Sequence, residues 1–202
     1  VRVFNSAKAI ERTVDKYYTS GLLDLAGLPT PRTIICERSA DALEAFVTLG
    51  SDVVVKPLFG SMGLGLVRVD NEDLAYRVFK ALELERAVYY LQEFIAHQGR
   101  DIRAFVLGDR ILASMERISD SWRSNFARGA ECRSVRLTPA QEELCLRASQ
   151  AVGAEYAGVD LLPASSGEVF IVEVNGIPGW KGLQTTCELD IASEIVEYLE
   201  RS

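Results

Sequence analysis

Glu173-Val174-Asn175-Gly176-Ile177-Pro178-Gly179 follows the apolar run Val169–Val172, which predicts a buried strand. Side chains two positions apart on a strand point to the same face, so Glu173 and Asn175 present a carboxylate and an amide oxygen together. The glycines and the proline that come next end the strand and let the backbone approach a ligand closely. The sequence therefore predicts a polar site at the end of this strand.

A second acid, Asp160, lies inside the preceding apolar run, Gly158-Val159-Asp160-Leu161-Leu162. If the two strands are neighbours, Asp160, Glu173 and Asn175 bring two carboxylates and an amide oxygen together. These oxygen ligands suit a hard divalent cation such as Mg²⁺. The alternative is a polar strand end that faces water, although a buried carboxylate needs a charged partner.

The composition narrows the class of protein. The chain has 202 residues, of which 48% are hydrophobic and 25% charged, and its length suggests one large domain or two small ones. The net charge of -7 gives no bulk attraction to nucleic acid or to an anionic membrane, so neither is expected as a partner. The four cysteines form no CxxC pair, which predicts reduced thiols in a cytoplasmic protein.

A lysine and a glycine-rich turn follow another predicted strand, Asp52–Leu58. Lys56 lies near the end of this strand, Phe59–Gly65 forms the turn, and Leu66–Val69 returns as a strand. No GK[ST] or GxGxxG pattern opens a helix here, which excludes a P-loop and a dinucleotide fingerprint. The turn is either an ordinary hairpin or a flap whose N–H groups surround an anion. Lys56 favours the flap, because a lysine at the end of a buried strand needs an anionic partner.

Further polar residues occur at the ends of the next predicted strands. Gln92 and Glu93 are interpreted either as a solvated strand end or as acceptors for an adenine amino group. In the hairpin that follows, Asp101 and Arg103 share a face of the first arm, and Arg117 lies near the end of the second.

A long polar loop is predicted over Ile118–Cys132. A loop of this length is unusual if it only connects two strands, and long loops are often functional. Arg123 and Arg128 form a local basic spot there, and arginine side chains suit phosphate or carboxylate ligands. The alternative is a mobile surface loop.

The remaining pattern predicts alternating helices and strands. Asn5 or Ser6 is expected to cap a first helix, Val1–Phe4 to form a short strand, and Trp180–Leu183 to form a loop. Further helices are predicted over Val14–Ala26, Ser39–Leu49, Glu72–Leu84, from Thr138 onward, and over Asp190–Leu199.

Taken in order, these residues resemble the ATP-grasp superfamily, specifically the RimK-type α-L-glutamate ligases. The most specific parts are Arg123-Ser124-Asn125 with Arg128-Gly129, and Gly158-Val159-Asp160 with Glu173-Val174-Asn175. The resemblance runs from about Asn5 to the C-terminus. It implies the ATP-grasp fold, in which two α+β subdomains clasp ATP.

The resemblance also implies a domain organisation. Residues 1–28 are expected to form a linking strand and helices. Residues 29–94 are expected to form the small subdomain with the glycine-rich flap, and residues 95–202 the large subdomain with the metal and substrate site. Family members usually begin with a further domain of roughly a hundred residues. We expect that domain to be missing here.

Carried over by position, the resemblance assigns residues to three roles. The residues expected to bind ATP are Lys16, Lys56, Gly60, Ser61, Met62, Gly63, Gln92, Glu93, Phe94, Ile95, Asp101 and Arg103. The residues expected to hold two Mg²⁺ or Mn²⁺ ions are Asp160, Glu173 and Asn175. The residues expected to bind the terminal phosphate, the acyl-phosphate and the amino acid during catalysis are Arg117, Arg123, Asn125 and Arg128.

The activity implied by the resemblance is an ADP-forming ligase that joins an amine, here expected to be L-glutamate, to a carboxylate acceptor through an acyl-phosphate. The stretch Asn175–Gln184 favours members tied to methanopterin-type coenzyme synthesis, and hence a small-molecule or peptide acceptor. Members that modify a ribosomal protein C-terminus more often carry Asn-Ala-Ser-Pro-Gly there.

Other functions stay open. The chain could be an ATP-binding module without turnover, a ligase acting on a ribosomal protein tail, or another ATP-grasp ligase such as a peptide ligase or carboxylase component. A protein that binds only a metal is disfavoured, because Lys16 and Lys56 would then lack a purpose. The sequence leaves open whether the protein forms a homo-oligomer.

Overall fold

A computed structural model describes residues 3–60, 63–122 and 130–201. The chain divides into two compact units. The larger unit comprises Val1–Val14, Tyr18–Thr30 and Ala96–Ser202, and the smaller unit comprises Asp15–Tyr17 and Pro31–Ile95. Most of residues 1–28, which are expected to form a linking strand and helices, therefore belongs to the larger unit.

The described residues form helices and two antiparallel sheets, as expected for an α+β fold. The helices are α1 (Ala7–Val14), α2 (Lys16–Leu25), α3 (Ser39–Thr48), α4 (Glu72–Leu84), α5 (Pro139–Val152), α6 (Lys181–Gln184) and α7 (Ile191–Arg201). The strands are β1 (Thr33–Cys36), β2 (Val53–Lys56), β3 (Val67–Val69), β4 (Tyr89–Glu93), β5 (Arg100–Leu107), β6 (Arg110–Ile118), β7 (Glu131–Ser134), β8 (Tyr156–Pro163) and β9 (Val169–Asn175).

The smaller unit contains a four-stranded antiparallel sheet in the order β1-β4-β2-β3. Side chains of α3 and α4 pack on one face of this sheet, where Val53, Val55 and Leu91 are buried. Because side chains alternate along a strand, Val54 and Lys56 of β2 point to the opposite face. The predicted antiparallel strands around the glycine turn are confirmed by the pairing of β2 with β3.

We call this opposite face the polar face of the smaller unit, defined by Lys56, Arg68 and Gln92. The register places Arg68 on one side of Val54 and Gln92 on the other. Directly opposed residues in an antiparallel pair share a face, so all three polar side chains lie on the same side of the sheet.

The larger unit contains a five-stranded antiparallel sheet in the order β7-β6-β5-β8-β9. One face packs against α5, and its core includes Ala104, Val159 and Val174. On the other face, Phe105 and Met115 pack with residues of α6 and α7. Asp101, Arg103, Asp160 and Glu173 alternate with residues of the first core and therefore lie on this second face.

Two local predictions were wrong and one was incomplete. Val3 and Phe4 lie outside any strand, and Trp180–Leu183 does not form a loop, because α6 begins at Lys181. Gly182 is a poor helix former, but Leu183 is buried in the core, so tertiary packing outweighs local propensity. The predicted loop up to Cys132 ends earlier, since β7 pairs with β6 there.

Within residues 3–60, 63–122 and 130–201, no helix is both long and apolar enough to cross a membrane.

Candidate functional site

A row of charged residues crosses the sheet of the larger unit. Arg103 on β5 is the register partner of Asp160 on β8, and Asp160 is the register partner of Glu173 on β9. Asp101 lies two residues before Arg103 on β5 and is the register partner of Arg117 on β6. The sequence predicted that Asp160 and Glu173 would lie on neighbouring strands, and this arrangement is confirmed.

Four of these side chains form one buried ion-pair network. Both Nε and Nη2 of Arg103 donate to the Asp160 carboxylate, and the Nη2–Oδ2 distance is 2.7 Å. Arg117 Nη2 lies 2.9 Å from Asp160 Oδ2 and donates to Asp101 Oδ2 at 2.8 Å. The four side chains are between 4% and 12% exposed. A buried charge is tolerated only while its partners stay in place, so the network acts as a unit.

The network keeps its members ionised. Burial raises the pKa of the Asp160 carboxyl, but Arg103 and Arg117 outweigh burial and lower that pKa to about 2. Burial lowers the pKa of the Arg117 guanidinium, whereas Asp160 and Asp101 outweigh burial and raise it. Asp160 is therefore a carboxylate at neutral pH.

The oxygen donors at this end of the sheet fit a hard divalent cation by type. Asp160 and Glu173 supply carboxylates, and Asn175 lies two positions from Glu173 on the same face. Among the described residues, no group of three or more His, Cys, Asp or Glu side chains could hold a metal ion. Mg²⁺ is usually held by one or two protein carboxylates together with phosphate and water oxygens, so Asp160 and Glu173 fit that pattern and the Asn175 amide oxygen is a further candidate ligand.

Asp160 and Asn175 already make other hydrogen bonds. A carboxylate offers about four acceptor positions, and Asp160 uses three of them on the two arginines. The Asn175 Oδ1 atom accepts a hydrogen bond from the backbone N–H of Ile177 at 2.8 Å. This bond fixes the orientation of the Asn175 amide at the end of β9.

In the smaller unit, Lys56 and Gln92 form a pair on the polar face. Lys56 Nζ donates to Gln92 Oε1 at 2.5 Å and lies 6.0 Å from the centre of the Tyr90 ring. Gln92 Nε2 donates to Thr33 Oγ1 at 3.0 Å. Gln92 is only 3% exposed, so its interpretation as part of a solvated strand end is wrong.

Lys16 and the glycine turn come together in the same unit. Lys16 Nζ donates to the carbonyl oxygens of Gly60, at 2.8 Å, and Leu58, at 3.4 Å. Gly60, Gly63 and Gly65 have φ values of 129°, 66° and 77°, which residues with a Cβ rarely adopt. An ammonium group therefore lies at the start of the turn that was predicted to surround an anion.

The Glu93 side chain has a partner that the sequence did not predict. Its two carboxylate oxygens accept hydrogen bonds from the backbone N–H of Arg32, at 2.8 Å, and from Arg32 Nε, at 2.7 Å. The backbone N–H of Glu93 donates to the Arg32 carbonyl at 2.9 Å. The carboxylate thus holds the segment that precedes β1. Phe94 and Ile95 follow directly after β4.

Several predicted residues lie outside the part of the chain that the structure describes. These residues are Ser61, Met62, Arg123, Asn125 and Arg128. Their assigned roles stay predictions.

Asn5 is a site-supporting residue whose role sequence reasoning missed. Its Nδ2 donates to the carbonyl oxygens of Tyr156 and Gly176, both at 2.7 Å, and its Oδ1 accepts from the Glu155 N–H at 2.9 Å. Asn5 thereby joins the start of β8 to the turn that follows Asn175. The helix cap that the sequence predicted at Asn5 or Ser6 is made by Ser6 Oγ, which accepts from the Ala9 N–H.

Gly158 gives Arg103 the room that it needs. A Cβ atom at position 158 would lie 2.9 Å from Pro178 Cβ and 3.0 Å from Arg103 Nη1. The glycine of the Gly158-Val159-Asp160 motif is therefore required by close packing beside Asp160.

Comparison with known proteins gives the family. A model of the RimK-like ATP-grasp domain matches residues 13–199. A tetrahydromethanopterin:α-L-glutamate ligase of Methanococcus maripaludis is 38% identical over 98% of this chain and 68% of its own length. A probable α-L-glutamate ligase of Trichodesmium erythraeum is 35% identical over 98% of this chain and 67% of its own length.

A solved structure shows the same fold. The ATP-grasp ligase PsnB, complexed with its minimal precursor, Mg and ADP, superposes with a TM-score of 0.80 at 22% sequence identity. The match covers 100% of this chain and 62% of the PsnB chain, so this chain spans less than two thirds of that structure. The resemblance inferred from the sequence and the ATP-grasp fold are both confirmed: the chain belongs to the RimK-like ATP-grasp family.

Proposed function

We propose that this chain is the ATP-binding and catalytic part of an ADP-forming ligase that joins the amino group of L-glutamate to a carboxylate acceptor. The observation that carries the proposal is the Asp160–Glu173 register pair, in which Arg103 and Arg117 hold Asp160, in a chain of the RimK-like ATP-grasp family. Two relatives that are 35% and 38% identical bear the name α-L-glutamate ligase, which supports glutamate as the amino acid.

In the larger unit, we assign Asp160, Glu173 and Asn175 to the binding of two Mg²⁺ or Mn²⁺ ions. The PsnB complex contains Mg and ADP, which favours magnesium. When bound, divalent ions offset the negative charge that accumulates on transferred phosphate oxygens. Arg117 is held by two carboxylates, so its guanidinium has a fixed position at the same end of the sheet.

In the smaller unit, we assign Lys16, Lys56 and the Gly60–Gly65 turn to the phosphates of ATP. Backbone N–H groups and ammonium groups are the donors that suit phosphate oxygens. We assign Gln92, Glu93, Phe94 and Ile95 to the adenine and ribose. Gln92 is buried beside Lys56, which supports a specific polar role for its amide.

The chemistry needs no protein nucleophile. A carboxylate oxygen of the acceptor attacks the γ-phosphorus of ATP, and the bond to the bridging oxygen breaks to release ADP. The amino group of glutamate then attacks the acyl-phosphate carbonyl, and inorganic phosphate leaves as the amide forms. Arg117 and the predicted Arg123, Asn125 and Arg128 would stabilise the charge on the transferred phosphoryl group.

We propose a coenzyme of the pterin type as the acceptor. The M. maripaludis relative is named for tetrahydromethanopterin, and the stretch Asn175–Gln184 favours the same group of ligases. The name of the T. erythraeum relative specifies no acceptor. A peptide carboxylate is the main competitor, because the ATP-grasp ligase PsnB has been solved with a precursor peptide.

We further propose that the protein works in the cytoplasm without nucleic-acid or membrane partners. The cysteines at positions 36, 132, 145 and 187 are all free thiols, as in a reducing compartment. The net charge of -7 opposes bulk binding to anionic polymers and lipids.

An acceptor screen tests the proposed function. The chain is incubated with ATP, Mg²⁺, glutamate and a panel of pterin, peptide and protein-tail carboxylates, and the products are identified by mass spectrometry. The proposal predicts ADP release and a glutamyl adduct only when all components are present. Binding of ATP without ADP release for every acceptor would instead support a nucleotide-binding module.

A further inference from the structure

Arg68, on the polar face, contacts both Phe94 and Asp52, and the proposed function gives it no role. It lies on β3, the strand that returns from the glycine turn, and its guanidinium Cζ is 3.6 Å from the centre of the Phe94 ring. This distance is that of direct contact between a guanidinium and an aromatic face. Phe94 follows β4 immediately and belongs to the set that we assign to the nucleotide.

Asp52 holds both members of this contact. Its carboxylate accepts two hydrogen bonds from Arg68, from Nε at 2.8 Å and from Nη2 at 2.7 Å. Its backbone carbonyl accepts the Phe94 N–H at 2.9 Å. Asp52 thus fixes the Phe94 backbone directly and the Phe94 ring through Arg68, so the three residues form a closed clamp.

Stability alone is a weak reason for this clamp. The Arg68 and Asp52 side chains are 33% and 37% exposed, and ion pairs with such exposure contribute little to folding. A bidentate arginine–carboxylate pair is instead well suited to fixing a planar group in one orientation. The group fixed here is the guanidinium that covers one face of Phe94.

The position of the clamp agrees with a role in binding. Arg68 and Gln92 lie on the same face of the sheet, on either side of Val54, and Lys56 follows on that face. The clamp therefore lies beside the Lys56–Gln92 pair, at the end of β4 from which Phe94 continues.

We infer that Arg68 is a positioning residue for the nucleotide base, acting through the Phe94 ring. This inference rests on the proposed function, in which Phe94 contacts the adenosine part of ATP. It makes a specific distinction: Arg68 supports recognition of the base, whereas Lys16, Lys56 and the glycine turn bind the phosphates.

Inorganic tripolyphosphate separates the two parts of recognition, because it carries the phosphates of ATP without the base. Affinities of the whole chain for MgATP and for Mg-tripolyphosphate are measured by titration calorimetry. Arg68→Lys keeps the charge but loses the planar fork, and Arg68→Met keeps only the stem. Both variants are expected to bind MgATP about tenfold more weakly, since the stabilisation of the Phe94 ring is lost. Their affinity for tripolyphosphate is expected to stay unchanged.

Arg77→Met is the matched control. Arg77 lies on α4 of the same unit and pairs with Asp73, and both side chains are more than 70% exposed. This variant should bind both ligands like the wild type. Thermal melting of each variant reports whether folding is intact, and Arg68→Lys is the milder change if Arg68→Met unfolds.

Equal affinities of wild type and Arg68 variants for MgATP would overturn the inference and leave the proposed function standing. Parallel losses for MgATP and tripolyphosphate would also overturn it, because Arg68 would then act on the phosphates or on the fold. A wild-type chain that binds neither ligand would overturn the proposed function and the inference together.

Discussion

Arg103 and Asp160 are register partners on adjacent antiparallel strands, and the guanidinium of Arg103 makes two hydrogen bonds to the carboxylate of Asp160. Arg117 reaches the same carboxylate from β6. Asp160 is therefore both a proposed metal ligand and the centre of a buried ion network. Glu173 lies opposite Asp160 but is only partly buried. The two acids should thus respond differently to neutralisation.

Asp160→Asn is expected to destabilise the metal-free protein by about 3 kcal/mol, because it leaves two buried guanidinium groups without their shared negative charge. Urea denaturation with a chelator present measures this loss in the free energy of unfolding. Glu143→Gln, which neutralises an exposed carboxylate on α5, serves as the control and should change stability by less than about 0.5 kcal/mol. A loss below about 1 kcal/mol for Asp160→Asn would contradict the network.

Gly158→Ala is expected to destabilise the protein by about 1–3 kcal/mol, since the new Cβ would overlap Pro178 and Arg103. Gly21→Ala is the matched control. Gly21 lies in α2 with nothing within 4 Å of a Cβ at that position, so alanine there should stabilise the helix by up to about 1 kcal/mol. Opposite signs in urea denaturation are the expected result, and equal effects would mean that the packing around Gly158 is not as described.

Asn5→Ala is expected to lower the free energy of unfolding by about 2–4 kcal/mol. The substitution leaves the Tyr156 and Gly176 carbonyls and the Glu155 N–H without the Asn5 side chain as a hydrogen-bond partner. Ser149→Ala, which removes a single buried hydrogen bond to the Ala154 carbonyl, should cost about 1 kcal/mol. The comparison is made by urea denaturation of both variants. A smaller loss for Asn5→Ala than for Ser149→Ala would show that Asn5 does not join the β8 and β9 ends.

Lys56→Met is expected to weaken binding of MgATP and of Mg-tripolyphosphate alike, by roughly tenfold or more, because a charge-assisted contact to phosphate is lost. Lys80→Met on α4, which removes an ion pair with Glu83 at the surface, is the control and should bind both ligands normally. Titration calorimetry with both ligands checks the result. Loss of ATP affinity alone would move Lys56 from the phosphates to the base.

The sequence predicted those parts of the site that follow from periodicity within one strand. The apolar runs around Asp160 and Glu173 were enough to place both acids on buried strands, and the two-residue spacing put Glu173 and Asn175 on one face. The glycine turn between antiparallel strands was predicted from its neighbours on either side. These features depend on contacts close in sequence.

Features that depend on register between distant strands could not be predicted. Nothing local shows that Arg103 and Arg117 meet at Asp160, because the pairing joins three strands. Asn5 contacts residues more than 140 positions away, and its short polar side chain looked like a helix cap. The helix at Lys181–Gln184 could not be predicted because Gly182 lowers its helix propensity, whereas burial of Leu183, a tertiary contact, stabilises it.

The central claim is that Glu173 binds the metal required for the ligase reaction. The most direct measurement compares ADP release by the wild-type chain and by Glu173→Gln, with ATP, Mg²⁺, glutamate and the acceptor identified by the screen. We expect Glu173→Gln to bind tripolyphosphate without Mg²⁺ like the wild type and to release no ADP above the acceptor-free background. ADP release by Glu173→Gln at the wild-type rate would contradict the account.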